Sequence, residues 1–277
     1  MKKLLLLIFL ACGNLLHGQN LDFGVHGGLA LYSGDLSPEP AGFALEDLGP
    51  AGGIFLRWQM NKFLAVRPTL TYASLSSDDS RNGNSFRGVN FKTNIFELSG
   101  VLEISPFNLS YYNSNTVIVP YLLVGAGVFR FNPKATYNGL TRELQPLGTE
   151  GQGLPGYETP YSLTQINFPF GLGIKFVLND AVTFAVELAG RKLQTDYLDD
   201  VSNASVRYGD LLDNRGPVGA QFSAPVFSTD TNPDRIYTRG GGFNDFYYIT
   251  TLSVSYRFQS SNTVYRPGKK GIICPRF

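Results

Sequence analysis

The chain has 277 residues, of which only 16% are charged, and a formal net charge of +1. That balance offers neither the basic footprint of a nucleic-acid binder nor a polybasic patch for a membrane surface. No stretch approaches the ~20 continuous apolar residues of a membrane-crossing helix, yet aromatic residues reach 13%, with 21 Phe, 15 Tyr and 31 Gly, a composition that suits a β-barrel with an apolar outside and a polar inside.

In chain order, Lys2 and Lys3 precede the apolar run Leu4 to Leu10. This reads as a secretory signal over residues 1–18, cut near Gly18 to leave Gln19 first. Cys12 raises a lipoprotein signal as the rival, but Phe9, Leu10 and Ala11 make a poor lipobox. With the signal removed, Cys274 stands alone in an oxidising compartment, where it is either an intermolecular disulfide or a free thiol.

Eight segments then show strand alternation. Leu21 to Tyr32 sets Phe23, Val25, Leu29 and Leu31 against His26, Gly28 and Ala30. Gly53 to Met60 sets Ile54, Leu56, Trp58 and Met60 against Phe55, Arg57 and Gln59. Leu64 to Leu75 sets Leu64, Val66, Leu70 and Tyr72 against Ala65, Arg67, Thr69 and Thr71, with Pro68 marking a bulge or a gap in the ladder. Phe91 to Ile104 sets Phe96, Leu98, Leu102 and Ile104 against Glu97, Ser99 and Glu103. Val117 to Phe131 is apolar with Gly125 and Gly127 inside it, and its alternation is less clean. The clearest run is Ile166 to Leu178, where seven large apolar residues alternate with Asn167, Pro169, Gly171, Gly173, Lys175 and Val177. A period of two over that length exceeds an ordinary soluble strand and fits a tilted strand across a bilayer. Ala181 to Leu193 sets Val182, Phe184, Val186 and Leu188 against Thr183, Ala185, Glu187, Ala189 and Arg191. Phe246 to Phe258 closes the series.

Eight is an allowed number for an outer-membrane barrel, and open edges are forbidden in hydrocarbon, so the expectation is an all-β, eight-stranded antiparallel transmembrane barrel over residues 19–258. The connections alternate in length. Tight turns at Asn61-Lys62 and Asn179-Asp180, and a moderate link from Ser105 to Thr116, oppose long loops 33–52, 76–90, 132–161 and 194–245. Both termini then fall on the periplasmic side. Arg57, Arg67, Glu97, Glu103, Lys175, Glu187, Arg191 and Arg257 point inward, and their mixed signs predict a plug of ion pairs in a lumen too narrow for a pore.

Enzyme chemistry has little support, and no catalytic residue, cofactor or metal is expected. His26 is the only histidine left after signal removal, and there is no G-x-S-x-G. The acidic run Asp196 to Asp200 lacks the EF-hand spacing and reads as a solvated loop rather than a Ca²⁺ site. Gly151-Gln152-Gly153 and Gly240 to Gly242 read as loop flexibility, because no strand-to-helix context accompanies them. Residues 259–277 form a tail beyond the last strand. There Ile272, Ile273, Pro275 and Phe277 flank Cys274 as a docking segment.

Several motifs are shared with a known family. Tyr32-Ser33-Gly34-Asp35-Leu36, Val119-Pro120-Tyr121-Leu122, Gly125-Ala126-Gly127-Val128-Phe129 and Phe131-Asn132-Pro133-Lys134-Ala135 resemble segments of PorG-type outer-membrane proteins of Bacteroidota. So do Leu144 to Gly153, Phe168 to Gly173, Thr195 to Ser202 and the terminal Cys274-Pro275. The resemblance implies an outer-membrane component of the type IX protein secretion and gliding machinery. It also implies partners, namely the periplasmic ring lipoprotein (PorK) and its companion (PorN), tethered at the Cys274 position. The segment 204–242 does not match that family well. The alternative is a small surface-recognition or adhesion barrel acting through its long loops.

Overall fold

The computed structural model describes residues 21–37, 45–81, 87–106, 109–110, 117–226, 232–242 and 244–258. The segment 1–18 expected as a signal, with Cys12, and the expected docking tail with Ile272, Ile273, Cys274, Pro275 and Phe277 lie outside the described residues.

The strands are β1 (Leu21–Ser33), β2 (Gly49–Gln59), β3 (Leu64–Asp78), β4 (Asn90–Ile104), β5 (Leu109–Ser110), β6 (Val117–Arg130), β7 (Lys134–Tyr137), β8 (Leu140–Glu143), β9 (Thr164–Val177), β10 (Val182–Leu193), β11 (Ser205–Arg207), β12 (Ile236–Thr238) and β13 (Phe246–Phe258). Eight of them, β1-β2-β3-β4-β6-β9-β10-β13, form a ring in chain order. It closes by antiparallel pairing of β13 with β1, from Leu21↔Phe258 to Ser33↔Phe246. Closure satisfies every edge, as hydrocarbon demands.

The alternation read from the sequence is the alternation of burial. Phe168, Phe170, Leu172 and Ile174 of β9 are exposed, whereas Asn167, Pro169, Gly173 and Lys175 are buried. β6 obeys the same rule, a correction to its less clean appearance in sequence: Tyr121, Leu123, Gly127 and Phe129 face in, while Leu122, Val124 and Val128 face out. The irregularity has a simple cause. Some of its inward residues are themselves apolar, so polarity does not distinguish the two faces. Pro68 leaves a gap, not a bulge. Pairing of β2 with β3 skips from Phe55↔Thr69 to Trp58↔Val66 without a change of register, as expected where the N–H is missing.

The outward belt of Phe, Leu, Ile and Val, with no charge among its central positions, is a lipid-facing surface. Among the described residues no helix is long and apolar enough to cross a membrane. At the turn end, Asn61 Oδ1 accepts from the N–H groups of Phe63 and Leu64, and Asn179 Oδ1 accepts from those of Ala181 and Val182. The same asparagine device closes both tight turns.

The loop end is not a set of open loops. The β7–β8 hairpin extends the wall beyond β4, since Lys92 pairs with Lys134. The short helix α1 (Leu144–Leu147) follows it. Segment 194–245, expected as one long loop, holds the β11–β12 ribbon and the helix α2 (Tyr208–Ser223). This helix breaks at Gly216, whose φ is 71°, and restarts with Pro217, which is preorganised for a first helical turn. The main buried apolar cluster lies here, with Leu36, Phe91, Phe129, Phe131, Tyr161, Leu198, Phe222 and Tyr247. The barrel mouth is therefore covered by a dome that packs on an apolar cluster.

Candidate functional site

Two polar assemblies lie inside the molecule. The first fills the lumen toward the turn end. Its centre is Glu103 of β4, 0% exposed. Arg57 Nε lies 2.9 Å away, Arg67 Nε 3.0 Å and Lys175 Nζ 2.5 Å, so three cations from β2, β3 and β9 share one carboxylate. Arg67 reaches on to Glu187 of β10 at 2.6 Å, which also accepts from Tyr121 Oη at 2.7 Å. Asp22 of β1 contacts Arg57 at 3.7 Å and Arg257 at 2.7 Å. The cations also stack, with Arg57 5.0 Å and Arg67 5.3 Å from the Phe55 ring centre and Lys175 4.7 Å from that of Tyr121.

Higher in the lumen, Glu97 accepts from Asn167 Nδ2 at 2.8 Å and Tyr247 Oη at 2.5 Å, with Arg191 at 3.4 Å. The inward charges predicted from sequence are thus all inside and tied into two clusters. Asn167, read as facing inward, joins them, and Asp22, Tyr121 and Tyr247 complete those clusters without having been named as inward-facing in the sequence reading: parity places Asp22 and Tyr247 on the inner face, whereas the apolar β6 gave no such signal for Tyr121. Chemically, the lumen is a network in which each charged group has an opposite charge within 4 Å, the arrangement that makes burial of ions tolerable.

His26 does face the lumen. It stacks on Phe55 at 6.2 Å and lies 3.5 Å from Thr71 Oγ1. Among the described residues the structure brings neither a serine nor an orienting carboxylate to hydrogen-bond distance of its ring.

The second assembly is the dome, and here two expectations are corrected. The run Asp196 to Asp200 is not a solvated loop, because Asp199 and Asp200 are 0% exposed. Asp200 accepts from Tyr161 Oη at 2.6 Å, from Thr149 Oγ1 and from Arg239 Nη1 at 3.1 Å. Glu150 accepts from the Ser202 N–H at 2.8 Å and its hydroxyl at 2.5 Å. Arg87 grips Asp79 with two nitrogens at 2.7 and 2.6 Å, and donates to the carbonyls of Arg239 and Asp35.

The glycines are not flexible spacers either. Gly151 and Gly153 take left-handed φ of 78° and 85°, and a Cβ on Gly240 would sit 2.0 Å from Asp35 Oδ2. They shape the turns that let carboxylates and backbone meet. Among the described residues no group of three or more His, Cys, Asp or Glu could hold a metal ion.

Tyr32 Oη lies 2.6 Å from Asp199 Oδ2 and 3.1 Å from Asp245 Oδ1. One hydroxyl proton cannot serve two carboxylates, so hydrogen bonding at both contacts requires one carboxyl to be protonated. Burial, then the neighbouring Asp35 charge, pushes Asp199 well above the usual carboxylate range. Burial, then Asp199 and Asp196, does the same for Asp245. Asp196 is pushed up to about 7 by burial and the charges of Asp35 and Glu150. The motifs at residues 32–36, 144–153 and 195–202, far apart in sequence, thus meet in one place.

The profile of a family described as a domain of unknown function, DUF6089, matches residues 1–215. The chain belongs to the DUF6089 family. The match takes in seven of the eight barrel strands of this DUF6089 protein and ends inside α2, leaving β13 beyond it. No curated protein matches. Among solved structures, the DUF6089 chain is similar to Ail, the attachment invasion locus protein of Yersinia pestis, in complex with the heparin analogue sucrose octasulfate. Identity is 9% and the TM-score 0.41, covering 87% of this chain and 99% of that one. It is also similar to Neisserial surface protein A (10%, 0.39, 86% and 97%) and to the outer membrane protein OprG of Pseudomonas aeruginosa (13%, 0.42, 88% and 98%). Likenesses this distant transfer no activity. The closed ring of eight strands stands on its own hydrogen-bond register.

Proposed function

We propose that this DUF6089 barrel is a non-catalytic outer-membrane component of the type IX protein secretion and gliding machinery in Bacteroidota. Its loop dome faces outward and both termini face the periplasm. The barrel holds a fixed position in the bilayer, and the tail, through Ile272, Ile273, Cys274, Pro275 and Phe277, docks the periplasmic ring lipoprotein and its companion. The PorG-type motifs motivate the secretion assignment. The observation that carries a positional rather than a transport role is the lumen. Glu103, held by three cations at 2.5–3.0 Å, fills the place where a solute would pass.

The test uses the full chain, tagged in a loop and purified from native outer membranes. Variants lacking residues 259–277, or carrying Cys274→Ser, are compared on reducing and non-reducing gels. Co-purification of the ring lipoprotein that is lost on tail deletion is the expected result. A disulfide tether would add a higher-mass band that collapses on reduction and is missing in Cys274→Ser. Ring association and cargo export unchanged by tail deletion would overturn the reading.

A second reading, recognition at the cell surface, is favoured by one observation. The described parts of the long loops pack over the barrel mouth in an apolar cluster shared with the upper ends of the strands, and a second buried cluster forms around Val206, Tyr208, Leu211 and Ala220. That reading predicts that cutting the loop 194–245 abolishes function while the tail is dispensable.

A further inference from the structure

The outer wall carries a groove of about 480 Å³ where β2, β3, β4, β6 and β9 run side by side. Two ladder rows of outward residues frame it. The lower row is Ile54, Leu70, Leu98 and Val128, paired successively across the strands. The upper row runs from Gly52 to Tyr72 to Phe96 to Arg130. Gly52 has no side chain and leaves one end open, while Arg130 stands at the other. The rings of Tyr72 and Phe96 lie 5.0 Å apart at 59°, forming a tilted aromatic wall. With neighbouring strands ~4.8 Å apart, the span from β2 to β6 is roughly 14 Å, a slot suited to a long alkyl chain rather than to a compact solute.

What covers the groove is indicated by the charges at its rim. Arg130 is exposed at the level where the apolar belt of β6 stops. On the adjacent β4, Lys92 is exposed on the same outer face, four residues beyond Phe96 toward the loops. Among the described residues neither Lys92 nor Arg130 has an anionic partner. A second copy packed on this face by a two-fold axis would bring like charges together. An anionic headgroup complements them.

We propose that this groove seats one acyl chain of a phosphate-bearing outer-leaflet lipid, with the phosphate held by Arg130 and Lys92. The inference rests on the barrel lying in a bilayer and not on the secretion reading. The lipid is a specific ligand of one side of the wall.

The test is native mass spectrometry of the full chain released from detergent after mixing with lipid A, with phosphatidylcholine, or with inorganic phosphate. Three forms are compared: wild type, Arg130→Gln with Lys92→Gln, and Val128→Trp, which fills the slot and leaves both cations intact. Heat-dependent gel mobility checks that each form is folded. The expected result is lipid A retained at least tenfold over phosphatidylcholine, one molecule per barrel, with the preference lost in both variants. Equal retention of phosphatidylcholine would mean an ordinary lipid annulus and overturn the proposal. Retention that survives Val128→Trp, or inorganic phosphate that competes as well as lipid A, would overturn it by reducing the site to a surface charge. Dimer formation in place of lipid binding would also overturn it.

Discussion

Glu103→Gln is the sharpest test of the lumen network. Glu103 faces Arg57 at 2.9 Å, Arg67 at 3.0 Å and Lys175 at 2.5 Å with no exposure to solvent. At an effective dielectric of ~20, a contact near 2.9 Å corresponds to roughly 6 kcal/mol of attraction. Desolvation of the ions takes most of that back, so the pairs add little relative to an apolar lumen. Removing only the carboxylate charge is different, because it leaves three buried cations facing one another. The expected loss is about 3–5 kcal/mol.

Lys175→Met is the discriminating partner. Around the lower lumen, Asp22, Glu103 and Glu187 face Arg57, Arg67, Arg257 and Lys175, so loss of the lysine brings the signs closer to balance. It is expected to cost less than half of what Glu103→Gln costs. In the double variant Lys175→Met partly rescues Glu103→Gln, giving a coupling of about 0.5–3 kcal/mol. The assay is urea unfolding of the refolded barrel in lipid vesicles, read by the fluorescence of Trp58 and by heat-dependent gel mobility. A loss below about 1 kcal/mol for Glu103→Gln, or strict additivity of the two substitutions, would refute the three-cation account.

The dome and the wall give three further outcomes. Asp199 and Asp245 titrate higher in the folded chain than in the unfolded one, so their contribution to dome stability is full at pH below ~3.9. It is lost as pH rises from there through their folded values, and the part due to Asp196 has gone by about pH 7. Protease cleavage within 194–245, normalised to the unfolded chain, is expected to speed up from pH 5 to pH 8. In Asp245→Asn that slope should flatten, and an unchanged slope would remove the shared-proton account. Gly173→Ala places a Cβ 2.5 Å from the Tyr121 ring, displacing the tyrosine from Glu187 at a cost of about 1–3 kcal/mol. Gly100→Ala, on the outer face with nothing within 4 Å, should be neutral or slightly stabilising in the same urea unfolding measurement.

The sequence by itself determined the wall. A period of two, sustained from Ile166 to Leu178, forces one face to be apolar and the other not, and strand pairing then carries that division around the ring. Because faces follow parity, the inward places of Glu103, Lys175 and Arg191 were legible without coordinates. So were the turns at Asn61 and Asn179, where a local side-chain bond to the next backbone N–H groups is enough. What only the tertiary structure decided is the company those residues keep. Asp199 and Asp200 sit in a run that is acidic, short and turn-rich, and nothing local distinguishes a buried carboxylate from a solvated one. Their burial depends on Tyr32, Thr149, Tyr161 and Arg239, brought in from elsewhere in the chain. The dome escaped the sequence reading for the same reason. Its loop-borne apolar residues, such as Leu36, Phe131, Tyr161, Leu198 and Phe222, are scattered without a period, and they become a core only when the connections fold onto the inward residues at the barrel mouth.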